Sequence, residues 1–226
     1  VDTLARHGGL GAEQAGYVLS WEMTAFAATT IAMAFLAQRL PWKRTIWLAL
    51  LIIALGNVLS IFVAGSPMLL AVRLMVGAAS GVIVPLAFAT VGRIDNPERA
   101  FGLMIGGLLI YAGIFLGAMP WLTSSAGVAG LMGGMLFTCC LAMLSMRWLP
   151  ADRAIDPDAA QQKFTWPAAG HRLALVGMLI FFTQMTSFWS FASVIAQANK
   201  VSEGAIALAL AVSQFAGIAG TALPAA

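Results

Sequence analysis

The sequence predicts an all-α integral membrane protein, a polytopic helical bundle of about seven spans. Three observations carry that expectation. Of its 226 residues 61% are hydrophobic and 9% charged, against about 25% charged in a soluble domain. Apolar stretches recur at the ~20 residues that a bilayer crossing requires. The basic residues fall very unequally on alternate connections, the pattern that fixes orientation in a membrane. The net charge of +3 is small and lies in loops, so no basic patch exists for a nucleic acid, and none is expected as a partner.

Each span follows from the hydrophobic pattern in turn. The first is predicted at residues 16–40, the second at 45–64 and the third at 68–94. The fourth and fifth follow at 100–122 and 126–146, separated only by Thr123–Ser125. The sixth and seventh are placed at 173–198 and 204–225. Their glycine and alanine content would weaken a soluble helix, but it suits lipid-embedded helices whose backbones approach closely.

Charge then orients the spans. Arg39, Lys43, Arg44, Arg93, Arg99, Arg147, Arg153, Lys163 and Arg172 lie on one side, and only Arg6 and Lys200 on the other. By the positive-inside rule the first group is cytoplasmic. The only long connection is Leu149–Gly170, with three prolines and a charged run through Asp152–Asp158. It divides the chain into a five-span block over residues 1–148, a cytoplasmic linker over 149–170 and a two-span segment over 171–226. Val1–Gly16 has neither an initiator Met nor a signal peptide, and Ala226 ends a hydrophobic stretch. The sequence is therefore expected to be part of a longer protein.

Two charged residues fall well inside spans, Glu22 and Arg73. Arginine in hydrocarbon costs at least about 2.5 kcal/mol, so Arg73 needs a partner or a wet cavity. Glu22 and Arg73 each lie five residues beyond the outer start of their spans, which puts both roughly 8 Å deep at ~1.5 Å per residue. Opposite charges at matched depth point to a buried pair. That pair is either fixed, or it opens and re-forms with protonation or substrate binding; the other reading of Glu22 is that it sits in the interface with no partner.

Polar residues elsewhere in the spans mark a candidate cavity. Residues 183–193 are rich in hydroxyls, with Gln184 and Trp189 suited to hydrogen bonding and stacking against an organic solute. Tyr111 lies opposite a glycine stripe formed by Gly102, Gly106, Gly113 and Gly117, a position from which it could reach a central cavity. Gln214 is a further candidate, on a span with its own stripe of Ser213, Gly217, Gly220 and Pro224. Interhelical hydrogen bonding and packing also explain these residues.

Other chemistries find no support in the sequence. Cys139 and Cys140 are adjacent within a span, and no Cys-x-x-Cys or Cys/His cluster accompanies them, so no metal or cofactor is expected. A retinal protein needs a lysine within a span, whereas Lys43, Lys163 and Lys200 all fall in loops. A nucleophile at Ser80 lacks a base, because His7 and His171 lie outside the spans. No Walker loop or His-Glu-x-x-His run is present, and no enzymatic activity is expected.

Two segments resemble a known family. Arg73-x-x-x-Gly77-x-x-x-Gly81-x-x-x-Pro85 is similar to the fourth-helix motif of the major facilitator superfamily of twelve-helix, two-bundle transporters. Ala34–Arg44, with Arg39, Lys43 and Arg44, resembles the basic loop between that family's second and third helices. It departs from the pattern at Ala34 and Pro41, where the family usually has glycine, and at Gln38, where it has aspartate. The resemblance runs from the second through the eighth helix and covers essentially the whole chain. It implies secondary active transport of a small organic solute by alternating access, coupled to protons or another ion, in a bacterial inner membrane. A non-transporting seven-helix receptor, channel or scaffold is the alternative reading of the same composition.

Overall fold

A computed structural model describes residues 11–148 and 169–222. It is helical, with no strand among the described residues: α1 is Ala12–Leu36, α2 Trp42–Phe62, α3 Met68–Val91, α4 Pro97–Ser145, α5 Ala169–Ala198 and α6 Glu203–Ala222, with short 3-10 turns at Ala37–Arg39 and Met146–Trp148. Most of the linker (149–168), the first ten residues with Arg6, and the end of the chain with Pro224 lie outside the described residues.

Local chemistry sets the boundaries. Leu40, ahead of Pro41, is held extended at φ −108° and ψ 142°, as a residue preceding proline tends to be. Helix α1 therefore gives way at Leu36, four residues before the predicted end. Asn96 caps α4 by accepting from the Arg99 backbone N–H at 3.3 Å, and Pro97 supplies the first-turn proline. Both are ordinary helix starts, and they begin α4 three residues before the pattern of apolar residues does.

The fourth and fifth predicted spans form one bent element. The break falls at Ala126 and Gly127, with Gly127 at φ 55° and ψ −129°. A side chain would strain that left-handed φ, so glycine is the residue that turns the chain here. Thr123–Ser125, expected as the outer connection, is helical instead. Their hydroxyls bond back to backbone carbonyls of the preceding turn, which keeps these polar residues compatible with a helix. Beyond the break the second arm runs back along the first. Gly130 packs on the Leu122 backbone and Gly134 lies against Leu122 and Phe115, while the Tyr111 hydroxyl donates to Thr138 Oγ1 at 3.4 Å.

By length and composition α1, α2, α3 and the bent α4 are apolar enough to cross a membrane. Helices α5 and α6 carry shorter apolar runs, Arg172–Met185 and Gly204–Gly217. The surface faces an apolar solvent: Phe62 is 79% exposed and Leu103 70%, which water would penalise heavily. Exposed Tyr17, Trp21 and Trp121 gather near one end of the helices, and Trp47 and Trp148 near the other. Aromatic belts at both interfaces have this distribution.

Helices α1 and α3 lie side by side and run in the same direction, since Glu22 meets Gly77 and, four residues on in both, Phe26 meets Gly81. Helix α2 packs antiparallel to α3, with Gly56 against Val76 and Val72. Two apolar clusters close the bundle. Met33, Ile46, Leu50, Leu86, Cys139 and Met146 form one, and Val128, Leu131 and Met132 the other, packed by Ile61, Ala64 and Phe115. Along α2, Asn57 lies between Leu50 of the first cluster and Ile61 of the second.

Candidate functional site

Arg73 is 6% exposed and Glu22 9%, and the structure brings them together. Arg73 Nε donates to Glu22 Oε2 at 2.9 Å, and Nη2 donates to the other carboxylate oxygen in a close ion pair. This two-pronged contact is the geometry in which a guanidinium and a carboxylate bind best. Nη1 donates to Asn57 Oδ1 at 3.1 Å and contacts Met132 Sδ at 3.9 Å. One guanidinium therefore ties α1, α2, α3 and the second arm of α4 together.

The motif around Arg73 explains how Glu22 reaches it. Gly77 stands one turn beyond Arg73, and a Cβ there would overlap the Glu22 carbonyl oxygen and lie 3.0 Å from its carbonyl carbon. The missing side chain lets the α1 backbone rest directly on α3, at the height that presents the carboxylate to the guanidinium. Gly81 repeats the approach against Phe26 and Thr29. Pro85 has no N–H for the Gly81 carbonyl four residues before it, and the Thr30 hydroxyl of α1 donates to that carbonyl at 3.3 Å. A neighbouring helix supplies the hydrogen bond that the proline removes, as buried membrane backbone requires.

The pair opens onto a wide-mouthed cavity of about 470 Å³, whose lining includes Glu22, Arg73, Asn57, Ser80, Tyr111 and Thr138 together with apolar Leu50, Ile53, Val76, Met135, Cys139 and Ala142. Mostly apolar walls with a few converging polar groups characterise small-molecule sites of this size. Ser80 donates to the Val76 carbonyl at 2.9 Å and Thr138 to that of Met135 at 2.8 Å, so both hydroxyls keep acceptor capacity. Cys139 donates to the Leu50 carbonyl at 3.1 Å.

The other residues singled out from sequence are distributed differently. Gln184 is exposed and Gln214 half-buried, and neither lines this cavity; the Trp189 side chain lies outside what the structure describes. Tyr111 does line it. Of the glycine stripe on α4, Gly113 and Gly117 face α6, against Phe215 and Ala211, and Gly217 of α6 faces Leu109. Gly102 has nothing within 4 Å of a built Cβ. In the basic loop, Arg39 and Arg44 are exposed and Lys43 half-buried. Between them Trp42 donates its indole N–H to the Ala37 carbonyl at 2.6 Å and carries the Arg93 guanidinium over its ring at 4.0 Å. The turn after α1 is thus fastened to the end of α3 within one bundle. Among the described residues no group of His, Cys, Asp or Glu is arranged to hold a metal ion.

Sequence reading missed Asn57 and Met132. An asparagine within a hydrophobic run is a weak signal alone, but at 2% exposure it needs a polar partner. Its sixteen-residue separation from Arg73 crosses a helical turn-around that fixes no register in advance.

Helices that bury their backbone polar groups internally, lipid-facing apolar sides and a charge pair set beside a cavity define a multi-pass membrane protein. The model of the Major Facilitator Superfamily matches residues 1–226, and the chain belongs to that family. It is a membrane transporter by that membership. No curated protein and no solved structure matches it.

Proposed function

We propose that the protein moves a small organic solute by alternating access, driven by a proton gradient across a bacterial inner membrane, with Glu22 and Arg73 as the coupling pair. The observation that carries this reading is the two-pronged Arg73–Glu22 contact at the wall of the cavity. A carboxylate that neutralises Arg73 ceases to do so on taking up a proton. The guanidinium, still held by Asn57 and Met132, is then left without a counter-charge in a poorly polar environment. That cost favours a second arrangement of the helices in which the charge is met differently, and emptying or filling the cavity shifts the balance between the two. In this reading residues 1–148 act as one bundle lacking its first helix, 149–170 as a cytoplasmic linker, and 171–226 as the first two helices of a second bundle. Contacts between the first arm of α4 and α6 support a meeting of those halves.

The test is uptake of a labelled metabolite panel by the full protein in proteoliposomes, with and without a pH gradient. Glu22→Gln should abolish the response to the gradient while exchange of solute across the membrane persists. Removing either charge alone leaves its partner buried and unpaired, at about 3–5 kcal/mol, so Arg73→Ala should also lower stability. The double variant Glu22→Gln/Arg73→Leu should recover stability more than gradient-driven uptake. Gradient-driven accumulation that survives Glu22→Gln refutes the coupling role.

A further inference from the structure

Asn57 has two ends, and only one is used by the charge pair. Arginine has no acceptor, so the amide must turn its oxygen to Arg73, as it does at 3.1 Å. The amide nitrogen has no hydrogen-bond partner among the described residues. It is not sealed in the interior either, because no fully buried side-chain nitrogen or oxygen in the described structure lacks a partner. Asn57 is 2% exposed and lines the cavity, and the cavity is the open space beside its amide. Nearby, Ser80 and Thr138 have spent their own protons on backbone carbonyls, and Tyr111 donates to Thr138. Beside the one Nη2 N–H of Arg73 that has no partner among the described contacts, donors at this wall therefore come from Asn57, while the hydroxyl oxygens offer acceptors.

Charge narrows the choice further. Glu22 and Arg73 are the charged residues among the lining, and each is engaged by the other. Besides Asn57 and the hydroxyl-bearing Ser80, Tyr111 and Thr138, the remaining wall is aliphatic, thioether and thiol. A charged solute would find no free counter-ion on this wall, so whatever desolvation it suffers against the apolar side chains goes uncompensated. An uncharged solute would lose little, and a carbonyl oxygen would satisfy the idle amide.

We infer that the cavity takes an uncharged amphipathic solute whose carbonyl-type oxygen accepts from the Asn57 amide nitrogen, making Asn57 both the selector of the solute and its link to Arg73. This rests on reading the same cavity as the transport site. A solute on the nitrogen polarises and orients the amide whose oxygen holds the guanidinium, so occupancy is felt at the charge pair through one side chain.

The experiment uses the full protein in detergent with Cys140→Ser, and reads the rate at which methyl methanethiosulfonate modifies Cys139 at the cavity wall. Three probes of matched shape are compared at equal concentration: benzamide, benzoate and benzylammonium. Benzamide should slow modification, by mass action about tenfold at ten times its dissociation constant, and the two ions should not. Asn57→Asp keeps an acceptor for Arg73 but presents an oxygen to the solute. It should lose protection by benzamide and gain protection by benzylammonium, a gain that misfolding cannot produce. If Asn57→Asp does not fold, Asn57→Ser, which retains a single shorter donor, should weaken benzamide protection severalfold with the ions still inactive. Equal protection by all three probes overturns the inference, as does benzamide protection unchanged by either substitution. So does a Cys139 that reacts only after denaturation, since the cavity would then be closed by protein. Because this readout needs no flux, it can fail while gradient-driven uptake through Glu22 stands, and it can succeed where that coupling fails.

Discussion

Gly77→Ala tests whether the glycine stripe exists to deliver Glu22 to Arg73. The new Cβ would overlap the Glu22 carbonyl oxygen and lie 3.0 Å from its carbon and 3.1 Å from Cγ of the same residue. Carbon pairs are most favourable about 3.5–4.0 Å apart, so α1 must retreat from α3 by at least about 0.5–1 Å. Two of the three atoms are backbone, so no rotamer change relieves the clash. The Arg73–Glu22 contact, 2.9 Å at Nε, lies on the same level and stretches with it toward the limit of a hydrogen bond. Overpacking alone costs about 1–3 kcal/mol, and weakening the buried pair adds to that. Thermal unfolding of the full protein in detergent, followed by tryptophan fluorescence, measures the sum. Gly102→Ala is the control: a Cβ there meets nothing within 4 Å, and alanine favours the helix by up to about 1 kcal/mol over glycine. Gly81→Ala should destabilise to a similar degree as Gly77→Ala by pushing on Phe26 and Thr29, yet leave gradient-driven uptake less affected because no charge lies beside it. If Gly77→Ala is as harmless as Gly102→Ala, the close approach is not what sets the pair, and the link between motif and charge is wrong.

Three further outcomes follow. Gly113→Ala should cost under about 1.5 kcal/mol, because its Cβ would meet only the ring of Phe215, at 2.8 Å, and a side chain can turn aside; stability equal to that of Gly77→Ala would show a rigid α4–α6 contact. Trp42→Phe should lose one hydrogen bond of about 1 kcal/mol and keep part of the cation–π contact, whereas Trp42→Ala should lose a further ~0.5–1 kcal/mol. Thermal melts of the two, with Arg93→Gln to remove the cation, separate these terms, and equal melts for Phe and Ala would dismiss the Arg93 contact. Cysteines placed at Ser66 and Lys163 should label from opposite sides of the membrane in oriented vesicles, and labelling from the same side would overturn the orientation drawn from charge.

Legibility followed how far each signal depends on distant partners. Spanning helices were readable because hydrocarbon selects composition over some twenty residues at once, and local errors average out. Boundaries were less so: Asn96 and Pro97 start α4 by capping chemistry that the apolar pattern does not contain. The bend at Ala126–Gly127 is a single backbone conformation, and three polar residues just before it imitate a loop. Glu22 and Arg73 were readable as a pair because burial makes an isolated charge so costly that depth alone restricts the partner. Gln184 and Gln214, which do not line the cavity beside Arg73, are less constrained. A polar side chain that costs little to solvate elsewhere can face several directions, so its residue type says little about which cavity it joins.

Asn57 fits between these cases, and its position explains why the buried charges remain tolerable. A bare Arg73–Glu22 pair would satisfy the carboxylate but leave Nη1 without an oxygen, beside Met132 Sδ. An amide one helix away supplies that oxygen without adding a charge, so the pair stays neutral as a unit. A second carboxylate in its place would bind the guanidinium more strongly, but it would leave the site with a net negative charge and a reason to admit cations. The neutral amide thus serves two demands with one side chain: an oxygen acceptor for Nη1 of a charge in hydrocarbon, and a cavity wall that bears no net charge. Only the first demand is structural. The second matters to a solute, and for that reason exchanging the Asn57 nitrogen for an oxygen separates a selector from a strut.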